Sequence, residues 1–119
     1  MKNLTLAQVT LLGKTNKEIP DAFLDWLTDN FHIWKAFEKE SLAVINAGFK
    51  HYSARTILEF LRHHTALTEK NGAFKIRNNS TPYLARLFAL VYPEHAELFR
   101  FNQVFIAKND AAGFARKSL

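Results

Sequence analysis

Cysteine is absent from this chain of 119 residues, which excludes disulfides, thiolate chemistry and cysteine-based zinc sites. Proline occurs three times and glycine four times, too few for a loop-rich or low-complexity chain. Long apolar runs are also lacking. No stretch approaches the ~18 apolar residues that a membrane span needs. Residues 1–18 hold no apolar run of signal-peptide length ending in a small-residue cleavage site. The expectation is a cytoplasmic protein with no membrane partner.

Phenylalanine is abundant, at eleven residues, within a hydrophobic fraction of 48%. This composition fits one globular domain with a core built on rings. The expected division is an arm over 1–18, a helical core over 20–101 and a tail over 102–119. The net charge of +5 is unevenly spread. Residues 1–47 carry five Lys and Arg against six Asp and Glu, residues 48–91 seven against two, and residues 92–119 four against three. The middle segment thus holds the whole excess, the usual footprint of a surface that meets polyanions.

Pro20 and Asp21 predict a helix start, since proline is tolerated in a first turn and acids favour that end. Phe23, Leu24 and Leu27 should face inward with Trp26 near their stripe, and Asn30 should stop this helix and cap the next. A helix over 31–47 follows, with Phe31, Trp34, Phe37, Leu42, Val44 and Ile45 on one arc and Gly48 ending it. Glu38 falls inside that arc, so it either lies at the edge of the core or pairs with a cation, an arginine first of all. Ser53 predicts the cap of a helix over 54–64. Its buried stripe is Ala54, Ile57, Leu58, Phe60 and Leu61, with His64 as a core histidine. Arg55, Glu59, Arg62 and His63 form its outer face. Asn71-Gly72 reads as a hairpin turn. Thr81-Pro82 opens a helix over 83–92, apolar on nearly every side and therefore central. Its one charge, Arg86, should pair with Glu38 or Glu59. Pro93 starts a short helix through Phe99, and a strand over 104–107 completes the expectation. The predicted fold class is mainly α: a compact helical domain with one small β-hairpin, in the element order of a winged helix-turn-helix.

None of the five histidines has the spacing of a known metal site; Glu59 and His63, at i and i+4, would supply two ligands of a three-ligand site at most. Ser53 with His51 or His63 forms a nominal nucleophile–base pair, yet nothing resembles a strained nucleophile elbow. No catalytic residue, metal or cofactor is expected. For nucleic acid, DNA or RNA, the candidate residues are Arg55, Arg62 and His63 on the second helix. Lys70, Lys75 and Arg77 on the hairpin would reach phosphates, with Asn78 and Asn79 beside them. A plainer account serves the same charges: Glu59 among its helix neighbours makes a solvated ion-pair network, and the hairpin lysines guard an edge.

One further pattern runs from Asn30 to Phe99. Its carriers are Asn30, His32 and Trp34, then Gly48, Ser53, Ile57, Glu59, Leu61-Arg62, Phe74-Lys75, Asn78-Asn79, Tyr83, Ala85-Arg86-Leu87, Pro93-Glu94 and Phe99. This pattern resembles a family of small uncharacterised proteins encoded by bacteriophages and prophage islands. The chain departs from it at Phe31, where members often have proline, and at Arg77, where they often have asparagine. The resemblance implies a phage or mobile-element origin and assigns no activity. The expected function is a non-catalytic, nucleic-acid-associated accessory protein. The alternative is a protein-binding module that inhibits or adapts a host protein through an exposed aromatic patch.

Overall fold

Five helices account for most of the computed structural model, which describes residues 2–65 and 81–99: α1 (Leu6–Lys14), α2 (Asp21–Asp29), α3 (Phe31–Asn46), α4 (Ala54–His64) and α5 (Thr81–Val91). One 3-10 turn, Pro93–His95, follows α5. No strand occurs among the described residues. The expectation of a helical domain bearing a β-hairpin is therefore corrected to a helical one. The Asn71-Gly72 turn with its flanking segments, and the strand over 104–107, lie outside the described residues. The helix-turn-helix order fails on its own terms as well. Residues 47–53 separate α3 from α4, where such a motif uses a turn of three or four residues.

Local chemistry sets the helix ends. The Thr5 hydroxyl accepts from the Gln8 amide at 3.2 Å and the Gln8 side chain accepts from the Thr5 amide at 2.8 Å. This reciprocal pair satisfies two otherwise orphaned donors and starts α1. Pro20 stands at the cap of α2. Asn30 joins α2 to α3, but its side chain caps neither α3 nor any amide there; it donates to the Trp26 carbonyl at 3.0 Å. Gly48 ends α3 at φ 99°, a backbone state open to glycine at little cost. The Ser53 hydroxyl accepts from the Thr56 amide at 3.1 Å and so caps α4.

Helix α5 is the centre, packing on α1, α3 and α4, as its all-round apolar surface predicts. Leu84, Leu87 and Phe88 are completely buried, and Trp34, Ile57 and Leu61 nearly so. Rings close the core around them. Phe37 lies 6.5 Å from Phe88 and 5.5 Å from Phe99, and Phe88 stacks on Tyr92 at 4.9 Å. The arm over 1–18 packs on the domain through one short helix, α1. Val9 is fully buried in the core, and Gly13 brings α1 so close to α2 that a Cβ there would meet Leu24 Cδ2 at 2.8 Å.

Expectations about faces and pairing are corrected on three helices, α3, α4 and α5. On α3 the buried residues are Ile33, Trp34, Phe37, Glu38 and Ser41, while Phe31, Leu42, Val44 and Ile45 are only half-buried. On α4, Phe60 is 43% exposed, and His64 is an exposed residue rather than a core one. Arg86 pairs with neither Glu38 nor Glu59; its Nε lies 2.8 Å from the Glu18 carboxylate, in the segment joining α1 and α2.

Candidate nucleic-acid interface

Helix α4 is held to the body along its inner face by Ala54, Ile57, Leu58 and Leu61, all buried. The approach to it is pinned as well. The Tyr52 amide donates to the Leu98 carbonyl at 2.9 Å, and His51 Nδ1 lies 3.2 Å from the Glu97 carbonyl. The outer face is consequently a fixed platform, a condition for side chains that must meet a ligand together.

That face carries Arg55, Glu59, Arg62 and His63, the expected set. Glu59 Oε1 lies 3.8 Å from Arg62 Nη1 and 3.4 Å from His63 Nε2. These pairs are exposed, so each contributes at most about 0–1 kcal/mol and neither locks its arginine or histidine in place. Arg55 makes no ion pair with any described residue; the Arg55–Glu59 pair expected from their spacing does not form. The structure thus brings three of the candidate residues, Arg55, Arg62 and His63, onto one exposed surface. Lys70, Lys75, Arg77, Asn78 and Asn79 lie outside the described residues.

The sequence reading missed an aromatic pair on the opposite flank of α4. Phe60 and His64, four residues apart, pack ring to ring at 4.8 Å and 31°. On the helical wheel Phe60 lies about 110° from the middle of the buried stripe, far enough to emerge at its flank. Its position on the wheel carried this signal.

Other polar clusters serve the fold. Glu38 is 1% exposed. Its Oε2 accepts from the Tyr92 hydroxyl at 2.7 Å, and its Oε1 lies 3.0 Å from Lys35 Nζ. The lysine contact lacks hydrogen-bond alignment, leaving Oε1 with no directional donor. At 3.0 Å the charge attraction persists without alignment, so Lys35 counts as the counter-ion, in place of the arginine expected. Burial pushes the Tyr92 phenol up to about 12; the Lys2 amide opposes this, and the Glu38 carboxylate adds to it. Ser53 Oγ is engaged as a cap. Among the described residues, no group of three or more His, Asp or Glu side chains is placed to hold a metal ion. No helix of the described residues is long and apolar enough to cross a membrane.

Compared with protein-family models, curated proteins and solved structures, the chain matches none.

Proposed function

We propose that this chain is a non-catalytic, nucleic-acid-associated accessory protein that works through the outer face of α4, in the cytoplasm of a cell carrying a phage or mobile element. The origin rests on the pattern over residues 30–99 alone. The observation that carries the binding role is Arg55 and Arg62 standing exposed on a capped, well-anchored helix, in the segment that holds the chain's whole charge excess. Two mobile cations beside weakly paired Glu59 cost little to redirect toward phosphates. A cytoplasmic setting places such a surface where nucleic acid is at hand.

The alternative, a module for a protein partner, draws on a different place. Phe49 is 51% exposed and borders a hollow of about 370 Å³ lined by Ile45, Lys50, Glu94, His95 and Leu98 among others. A mobility-shift assay separates the two readings. Wild type should retard DNA or RNA at low salt, and Arg55→Glu with Arg62→Glu should abolish the shift while leaving the melting temperature within a few degrees. Absence of any wild-type shift at low salt would refute the nucleic-acid reading and favour the protein partner.

A further inference from the structure

We infer that α4 takes single-stranded nucleic acid, with an unpaired base stacked on the Phe60–His64 ring pair. The inference rests on the binding role proposed above and narrows it to a substrate class.

Arginines alone do not choose between strands, because duplex and single strand both offer phosphates. The rings do. Phe60 is 43% exposed although the same helix buries Ala54, Ile57, Leu58 and Leu61, so the core has no room reserved for it. Its ring partner among the described residues is His64, at 4.8 Å and 31°, itself exposed. A tilted pair of exposed rings offers aromatic surface of the kind a base face stacks on, and in a duplex the base faces are already occupied by neighbouring base pairs. Only an unpaired base can extend the stack.

Placement supports the same substrate. At 100° per residue, Arg55 and Arg62 lie on one flank of α4, Phe60 and His64 on the other, and His63 between them. Arg55 and Arg62, seven residues apart, stand about 10.5 Å from each other along the axis. A strand lying across the helix meets cations for its backbone on one side and rings for a base on the other. Glu59, on the same face, is held by Arg62 and His63; a phosphate would compete with it for both, which makes binding salt-sensitive. A duplex seeking the major groove through this helix would gain nothing from Phe60, and the compact turn that positions a recognition helix is missing.

The test uses the full chain and fluorescein-labelled homothymidine of ~12 nucleotides, the matching duplex, and homouridine of equal length, read by anisotropy at about 50 mM salt. Wild type should bind the single strands at least ~10-fold more tightly than the duplex, since stacking adds to phosphate contact. The DNA and RNA arms decide which strand is preferred. Phe60→Ala and Phe60→Leu should each weaken single-strand binding by roughly 5- to 100-fold and change duplex binding less than about twofold. Leucine keeps apolar bulk without a π-face, so a merely structural role would be rescued by it. Unchanged single-strand affinity in Phe60→Leu, or equal wild-type affinity for duplex and single strand, overturns this inference while leaving the polyanion role standing. No wild-type binding to any of the three probes overturns both.

Discussion

Replacing Tyr92 by phenylalanine removes one oxygen from the most polar part of the core and leaves the ring packing intact. The Tyr92 hydroxyl donates to Glu38 Oε2 at 2.7 Å and accepts from the Lys2 amide at 2.8 Å. The ring stays stacked on Phe88 in the variant, so no cavity opens. What remains is a carboxylate 1% exposed whose one described counter-ion is the misaligned Lys35. A hydrogen bond to a charged, buried partner contributes about 1.5–3 kcal/mol, and stranding the partner costs toward the upper end. We expect Tyr92→Phe to lose about 2–3 kcal/mol at neutral pH, or roughly 10 °C in melting temperature for a domain of this size. The loss should depend on pH with a definite sign. In the folded chain the phenol titrates at about 12, raised from 10.0. The folded state therefore keeps its proton where the unfolded state has begun to lose it. That contribution, about 2–3 kcal/mol at 1.36 kcal/mol per unit, is fully present below about pH 10 and disappears as pH rises through 12. Guanidinium unfolding of wild type and Tyr92→Phe in parallel, from neutral pH to about 12, reads it directly, since lysine and arginine titrations are common to both chains and cancel. The gap between the two should close over about pH 10–12. A gap that stays constant, or a variant as stable as wild type near neutral pH, would refute the role given to the hydroxyl.

Leu87→Ala should cost roughly 2–5 kcal/mol, because Leu87 is completely buried at the centre of α5 and its removal leaves a cavity; an unchanged melting temperature would show that α5 is not the core. Gly48→Ala should lose about 1–2 kcal/mol through backbone strain alone, since φ is 99° and nothing lies within 4 Å of a Cβ there. Chemical denaturation with an unchanged m-value is the check, and a stabilised variant would mean that the turn is not left-handed.

Much of the helical framework was legible in the sequence because its boundaries are local. Ser53, Gly48 and Pro20 act within a turn of their own positions, and α4 and α5 begin and end within two residues of the expected places. Faces were read less well. A wheel weighs every apolar residue alike, so it puts Phe60 in the core although that residue lies at the flank, and it omits Ile33 from a stripe that rotates to include it. Pairings across the fold were not legible. Glu18 meets Arg86 and Tyr92 meets Glu38 across 54 positions, and nothing in either local segment encodes the approach. At the candidate site the cations are visible as composition, whereas the ring pair lies on the opposite flank of α4, where only the wheel position of Phe60 at the edge of the stripe signals it.

The salt dependence of binding tests the central claim most directly. For a labelled single strand, the logarithm of the association constant should fall linearly with the logarithm of salt, by about 0.7 per phosphate neutralised. With Arg55 and Arg62 both engaged, the wild-type slope should be roughly −1.4 or steeper, and Arg55→Gln with Arg62→Gln should flatten it by about 1.4. A wild-type complex indifferent to salt, or a slope left unchanged by the double substitution, would contradict the assignment of α4 as the nucleic-acid surface.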